Sequence, residues 1–240
     1  MLMTRHRFYD GLHALCLLLF AGFAAPQRWL GMVLVGYLLL GVLLLLGLGR
    51  PLHSDPWGWR DRLFPLLGLT TLTLQTLWLL TPVSARSGSL LLLGLWTLFA
   101  ATAALRLVRL LSLERRVTLP MIRGAAAGYL LLGLTGALLM NLLEWERPGS
   151  FALLANGQVL QRPLPLDGNA WAMDLGRIGY FAFVCLTTVG FGDITPLTPP
   201  ARMLSVGLAM VGPLYLAVVM GVLIGRFSAD NNAGPGGGLG

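Results

Sequence analysis

The sequence contains few charges and few of the residues that disulfide or metal chemistry requires. Only 11% of its 240 residues are charged, two are cysteine and three are histidine. Cys16 and Cys185 lie far apart inside apolar segments, which indicates buried thiols rather than a disulfide framework or a metal site. Lysine is absent, so all 17 basic residues are arginine. Because these arginines are scattered at the ends of apolar runs and form no patch, we exclude a nucleic-acid partner.

Apolar sequence makes up most of the chain. Hydrophobic residues account for 56% of it and the mean hydropathy is +0.75, which describes an integral membrane protein rather than a soluble domain. The runs long enough for transmembrane helices lead us to expect an all-α membrane protein with six spans, the first of them short. These runs cover residues 11–25, 30–48, 63–80, 89–111, 124–143 and 201–226.

Polar segments between the runs divide the chain into four parts. We predict a four-helix transmembrane bundle over residues 1–111, an interfacial linker over 112–123 and a pore domain over 124–227. Residues 228–240 are rich in glycine and asparagine and predict a disordered tail. Linker arginines would face anionic lipid headgroups along the inner membrane surface. They are Arg115, Arg116 and Arg123.

The distribution of arginine predicts the orientation in the membrane. With the N-terminus in the cytoplasm, eleven of the 17 arginines fall on the cytoplasmic side and six fall outside. This excess agrees with the positive-inside tendency. Both termini are therefore expected in the cytoplasm, and residues 188–193 are expected at the outer side.

Residues 187–193 read T-T-V-G-F-G-D and are the most informative stretch of the chain. Gly190 and Gly192 alternate with Val189 and Phe191, so successive residues can take opposite-handed dihedrals that a Cβ would resist. Every carbonyl can then face one axis. Four such chains would form a ring of carbonyl oxygens able to replace the hydration shell of a potassium ion.

This stretch resembles the selectivity filter of the tetrameric pore-loop potassium channels, which reads T-T-V-G-Y/F-G-D. The resemblance implies a homotetramer and a K⁺-binding filter of five residues. They are Thr188, Val189, Gly190, Phe191 and Gly192. The main-chain carbonyls of the first four, with the Thr188 hydroxyl, would form the ion sites.

The same resemblance implies residues that support the filter. Thr187 precedes the filter, Tyr180 and Phe181 match an aromatic pair that braces it, and Asp193 would lie at its extracellular mouth. At Val184 some members of the family carry a glutamate that pairs with the aspartate. This chain cannot form that carboxyl pair, so Asp193 must find another partner or remain solvated.

The segments around the filter follow from composition and length. We predict an external turret over residues 144–172, a re-entrant pore helix over 174–187, the filter over 188–192 and an inner helix over 201–227. Within the turret, Asn156-Gly157 predicts a hairpin turn. The C-terminal end of the pore helix carries partial negative charge and would favour a cation at the bilayer centre.

The inner helix contains a predicted bend. In the family a hinge glycine lies about nineteen residues after the filter aspartate, and that position is Gly212 here, followed by Pro213. Glycine beside proline loses a backbone hydrogen bond and predicts a kink. A static bend without a gating role is the alternative interpretation. Leu216 and Met220 are the candidate residues for the cavity lining.

The first four spans do not have the charges of a voltage sensor. Arg106 and Arg109 are the two arginines at the expected spacing, and the second and third spans contain no acid. Since each moving charge is worth about 2.3 kcal/mol per 100 mV, we expect no steep voltage gating. From about Arg116 to residue 151 the chain is similar to six-span bacterial potassium channels without an arginine-rich sensor, which implies a prokaryotic plasma membrane.

The sequence therefore predicts a potassium-selective channel that conducts passively and uses no cofactor besides K⁺ in its pore. A weakly selective cation channel and a non-conducting or modulatory channel subunit are the alternatives. We expect no enzymatic activity, because His6, His13 and His53 lie near membrane edges with no serine or acid pair placed beside them within a span.

Overall fold

The computed structural model of the protein describes residues 5–24, 30–49, 59–80, 86–113, 118–155, 158–160 and 175–232. These residues form seven helices and three short strands. The elements are α1 (Arg5–Gly22), α2 (Leu30–Leu48), α3 (Trp59–Leu80), α4 (Arg86–Leu113), α5 (Leu119–Glu146), β1 (Phe151–Ala155), β2 (Gln158–Leu160), α6 (Leu175–Leu186), β3 (Ile194–Pro196) and α7 (Pro199–Asn232).

Five of the described helices, α2, α3, α4, α5 and α7, are long and apolar enough to cross a membrane. The sequence predicted six. The difference is α1, an 18-residue helix that carries Arg5, Arg7 and Asp10 in its first two turns. Helix α6 has 12 residues and is too short to span a bilayer.

A small sheet departs from the all-α prediction. Its strand order is β2-β1-β3, and both pairings are antiparallel. Strands β1 and β2 form the predicted hairpin, with Ala155 opposite Gln158, whereas the Asn156-Gly157 turn lies outside the described residues. Strand β3 lies in the segment expected to be a proline-rich exit loop. It is only three residues long and ends at Pro196. Because the proline is the last residue, its missing N–H removes little of the hydrogen bonding between the strands.

Helices α1 and α4 pack on α5 of the same chain, and α2 and α3 pack on α1 and α4. One apolar core joins buried residues of α1, α2, α3, α4 and α5. Close approach depends on glycines in α2 and α5: a Cβ at Gly124 would fall 2.6 Å from the Tyr9 ring, and one at Gly47 would fall 2.0 Å from Phe8. Both aromatic side chains are buried. Within one chain, α1 to α5 therefore share a single apolar core.

Arg106 of α4 is held inside this bundle. Its guanidinium donates a hydrogen bond to the Leu48 carbonyl at 3.0 Å and lies 4.5 Å from the centre of the Phe64 ring. The Leu48 carbonyl belongs to the last turn of α2, where cations are favoured by the helix dipole. Arg106 thus joins α4 to α2 and α3, a structural role beyond the topology signal that the sequence indicated.

The predicted interfacial linker over 112–123 is mostly helical in the structure. Helix α4 continues to Leu113, and α5 begins at Leu119 rather than at residue 124. Pro120 lies in the first turn of α5, where a proline favours helix initiation. Residues 115 and 116, two of the three predicted lipid-contacting arginines, lie outside the described residues.

Arg123, the third of these arginines, is part of α5. Its guanidinium donates a hydrogen bond to the Asp10 carboxylate of α1 at 2.8 Å. Both side chains are nearly half exposed, at 46% and 42%, so the pair contributes about 0–1 kcal/mol and is screened by salt. The pair is one more contact between α1 and the start of the pore domain.

Helix α7 is longer than the predicted inner helix over 201–227. It begins at Pro199, because prolines are tolerated in the first helical turn, and it is continuous through Pro213 to Asn232. No glycine or proline follows Gly225 until Gly234, so no residue type breaks the helix at 227. Residues 228–232 of the predicted disordered tail are therefore helical, and residues 233–240 lie outside the described part.

Candidate functional site

The site begins where the short helix α6 ends. This helix covers Leu175–Leu186, close to the predicted 174–187. Three of its last four carbonyls accept hydrogen bonds from the backbone that follows: Phe183 from the Thr187 N–H, Cys185 from Thr188 and Val184 from Val189. The chain therefore leaves the helix in a tight turn directly into residues 188–192.

The backbone of this segment alternates in handedness, as the sequence predicted. The φ angle is +60° at Thr188, +60° at Gly190 and +78° at Gly192, whereas Val189 and Phe191 keep negative values. Glycine adopts the left-handed region without a Cβ penalty, but Thr188 does not. A threonine at φ +60° persists only when the surrounding structure holds it there.

The segment has little cover within one chain. Residues 187 to 192 are all exposed, and the exposed fraction reaches 54% for Val189 and 69% for Phe191. A Cβ added at Gly190 or Gly192 would meet no described atom within 4 Å, apart from its chain neighbours. A strained and exposed backbone of this kind is expected if several copies of the chain together form a ring around a common axis.

The two predicted bracing aromatics have different neighbours. Tyr180 stacks on Phe191 of the filter segment, with ring centres 6.4 Å apart and planes 7° apart. Phe181 is buried and packs against Phe151 of β1 at 5.5 Å. Successive residues of a helix point about 100° apart, so only one of this pair can face the filter segment. Tyr180 contacts the segment directly, and Phe181 supports the sheet behind it.

Asp193 has other contacts in place of the carboxyl pair, which Val184 cannot form. Val184 is buried and contributes its carbonyl to the turn after α6. The Asp193 carboxylate accepts a hydrogen bond from the Ile194 N–H at 3.0 Å and faces the Tyr180 hydroxyl. Asp193 therefore has a local backbone donor and a neighbouring phenol where the family pair would have a glutamate.

The exit from the filter segment is built into the sheet. Strand β3 starts one residue after Asp193, and its Ile194 pairs with Leu153 of β1. Ile194 is buried in a second apolar core together with Phe151 and Phe181. Below the strand, the Leu197 N–H donates to the Ser150 carbonyl at 2.8 Å. The β1–β2 hairpin and the segment after Asp193 are thus joined by strand pairing and a shared apolar core.

Glu144 is a site residue that the sequence analysis missed. It lies near the end of α5 and is 3% exposed. Its two carboxylate oxygens accept hydrogen bonds from the Gly149 and Phe151 N–H groups, both at 2.9 Å. Arg177 of α6 adds a favourable charge interaction. An acid near the end of an apolar helix, three residues before Arg147-Pro148-Gly149, was the available signal.

Replacing Glu144 with alanine is expected to loosen the turret and the filter exit together. The change removes two charge-assisted hydrogen bonds and leaves a buried donor at Phe151, which should cost about 2–4 kcal/mol of unfolding free energy. Thermal unfolding in detergent measures the loss. Glu146→Ala is the matched control, because Glu146 is exposed two residues further along the same helix. Equal stability of the two variants would contradict the role of Glu144.

Gly212 of α7 lies against the C-terminal end of α6. An added Cβ would fall 1.8 Å from the Leu186 carbonyl oxygen, well inside the contact limit. The glycine is therefore required for close approach of the two helices, whether or not it also bends. Pro213 is exposed and lies within the continuous helix. Leu216 is 46% exposed, and the Met220 side chain lies outside the described part of the chain.

Tyr215 joins α7 to α5 in a packing contact that the sequence did not predict. Its hydroxyl donates a hydrogen bond to the Ala125 carbonyl of α5 at 2.7 Å, and the side chain is buried. Gly128 makes room for it, since a Cβ there would fall 2.3 Å from the hydroxyl oxygen. The only sequence signal was a tyrosine in an apolar helix, which needs a hydrogen-bond partner.

The described residues of the chain give α7 little cover. From Pro199 to Val219 the buried residues are Ala201, Ser205, Gly212 and Tyr215. Its exposed surface carries large apolar side chains. They are Met203, Val206, Met210, Val211, Leu214, Leu216 and Val218. Lipid, a neighbouring copy or a water-filled cavity can lie against such a surface in a membrane.

Comparison with known proteins identifies this part of the chain. Residues 150–229, about a third of the chain, match the family model described as "Ion channel". The human voltage-gated delayed rectifier potassium channel KCNH5 is 48% identical over 42 residues, which is 18% of this chain and 4% of that protein. The two pore potassium channel c of Oryza sativa is 36% identical over 45 residues, covering 19% of this chain and 10% of that protein.

The matches are confined to short segments. An uncharacterized protein of Methanothermus fervidus is 32% identical over 59 residues, 24% of this chain and 9% of its own length. The chain thus spans a tenth or less of these curated relatives, and no solved structure matches it. With the apolar helices, these findings indicate an integral membrane protein whose residues 150–229 are similar to an ion-channel family.

Proposed function

We propose that the protein is a potassium-selective channel that conducts passively as a homotetramer. The observation that carries this proposal is the alternation of φ at residues 188, 190 and 192 on a backbone that its own chain leaves uncovered. Four copies would place the carbonyls of Thr188, Val189, Gly190 and Phe191 around a common axis. There they would replace the water around K⁺.

The uncovered surface of α7 supports the tetramer. In this assembly its apolar side chains would contact neighbouring subunits or line the inner cavity, and Leu216 and Met220 are the residues that we assign to the cavity. Helix α1 would complete a bundle beside each pore domain, with both termini in the cytoplasm of a prokaryotic cell. Anionic lipid would contact the arginines near the α4 to α5 junction.

We further propose that opening is not steeply voltage-dependent. Arg106, one of two arginines at sensor spacing, donates a hydrogen bond to the Leu48 carbonyl and lies against the Phe64 ring. Moving it across the membrane field would break both contacts. At about 2.3 kcal/mol per charge per 100 mV, Arg109 alone would give a shallow voltage dependence. We assign the protein no enzymatic role.

Reconstitution of the purified chain into planar bilayers tests the proposal. We expect a reversal potential that follows the potassium gradient and shifts when sodium replaces potassium. A reversal potential that ignores this exchange would indicate the weakly selective cation channel. Silence, with the protein shown to be folded and inserted, would favour the non-conducting subunit. A conductance that rises steeply with voltage would contradict the gating part of the proposal.

A further inference from the structure

The C-terminal end of α6 receives a hydrogen bond from outside the filter loop. Of its last four carbonyls, those of Phe183, Val184 and Cys185 are paired with the backbone N–H groups of residues 187 to 189. The fourth belongs to Leu186. Among the described residues its donor is the Tyr129 hydroxyl of α5, at 3.2 Å. A side chain of the outer helix thus completes the capping of the pore helix.

The same carbonyl is approached from a second side by α7. Gly212 lies so close that a Cβ there would overlap the Leu186 oxygen. Leu186 itself is fully buried. The carbonyl is therefore enclosed between Tyr129 on one helix and Gly212 on another. The Tyr129 hydroxyl holds the oxygen end of this peptide, and the bond from the Thr187 N–H to the Phe183 carbonyl holds its nitrogen end.

The direction of this carbonyl matters because its peptide lies two residues before Thr188, the threonine with a positive φ. Thr187 follows directly, and the Thr188 hydroxyl donates to the Thr187 carbonyl at 2.7 Å. Thr188 then takes φ +60°, which a threonine does not adopt unless its neighbours hold it there. A rotation of the Leu186 peptide would change the backbone of Thr187 and, through it, that of Thr188, the first residue of the filter segment.

We propose that Tyr129 is a positioning residue for the inner entrance of the filter. Its hydroxyl fixes the Leu186 carbonyl and thereby the orientation of Thr187 and Thr188. The inference rests on the proposed potassium conduction. It assigns a positioning role in that conduction to a residue of α5, which lies outside the filter segment and outside α6. Tyr129 does not touch the ion.

Tyr215 provides a matched control for Tyr129. The two rings are in contact, with centres 5.9 Å apart, and both hydroxyls donate to backbone carbonyls. The Tyr215 hydroxyl bonds Ala125 of α5, which is not part of the filter segment. Tyr129→Phe and Tyr215→Phe therefore each remove one hydroxyl from the same pair of contacting rings, but only the first should alter the filter entrance.

The test measures the potassium-to-sodium permeability ratio of both variants in planar bilayers. We expect Tyr129→Phe to lower the ratio by about three- to tenfold, the factor of one ordinary hydrogen bond, with Tyr215→Phe close to the unmodified chain. Equal ratios in Tyr129→Phe and the unmodified chain would overturn the inference. An equal fall of the permeability ratio in both variants would also overturn it, since that would indicate general loosening of the packing around the two tyrosines.

A second measurement separates this inference from the proposed function. Hydrogen–deuterium exchange of the assembled, reconstituted protein reports on the amides of residues 187 to 190 whether or not the protein conducts. Faster exchange there in Tyr129→Phe than in Tyr215→Phe supports the positioning role. Unchanged exchange overturns it. Absence of current from the unmodified chain would overturn the proposed function alone.

Discussion

Replacing Gly190 with alanine is expected to abolish potassium current while the chain still folds and inserts. Gly190 has φ +60°, and a Cβ in the left-handed region costs about 1–2 kcal/mol in each subunit. The surrounding space is open, so the effect comes from the backbone rather than from a clash. Relief of the strain would rotate the neighbouring carbonyls away from the axis. Potassium flux into liposomes, measured at matched protein content, reports the loss.

Gly94→Ala serves as the control for this change. Gly94 lies in α4, has no described neighbour within 4 Å of an added Cβ and does not have a left-handed φ. Alanine is the better helix former, so this variant should conduct normally. If Gly190→Ala retained a potassium-selective current, the assignment of residues 188–192 as the filter would be wrong.

Replacing Gly212 with alanine is expected to destabilise the protein strongly. The added Cβ would overlap a backbone oxygen, which cannot rotate aside as a flexible side chain can, so α7 must move away from α6. Overpacking of this kind costs about 1–3 kcal/mol or more. We expect the apparent unfolding temperature in detergent to fall by about 5–10 °C.

This experiment also separates packing from hinge bending as the role of Gly212. A glycine that served only as a hinge would tolerate alanine, which stabilises helices by roughly 1 kcal/mol relative to glycine, and only the opening of the pore would change. Gly207→Ala is the control on the same helix, because its added Cβ meets no described atom within 4 Å. An unfolding temperature in Gly212→Ala equal to that of Gly207→Ala would favour the hinge.

The parts of the site that the sequence predicted are those whose structure is encoded locally. The alternation at Gly190 and Gly192 follows from the residue types themselves, and the hairpin follows from Asn156-Gly157 and the strands beside it. The shortness of α6 follows from the distance between the turret and the filter motif. In each case neighbouring residues in the chain determine the dihedrals, so no knowledge of distant contacts was needed.

The parts that the sequence did not predict depend on contacts between distant residues. Gly212 was interpreted from its spacing to Asp193 and from the adjacent Pro213, whereas its neighbour in the structure is Leu186. Tyr129 and Tyr215 are ordinary aromatic residues in apolar helices until their acceptors are known. Phe181 was paired with Tyr180 through the family resemblance, but the rotation between successive helical residues directs it to β1. Strand β3 exists because β1 lies beside it.

The contact of α1 with the pore helix limits how this protein can be divided. Phe23, just after α1, lies over the glycine face of α6, where a Cβ at Gly179 would fall 2.8 Å from its ring, and Phe20 packs on Phe183 at 4.8 Å. A minimal pore excised at the start of α5 would leave this face of α6 open to lipid. Chimeras that graft the pore onto a foreign sensor therefore need a first helix whose end reproduces these two phenylalanines.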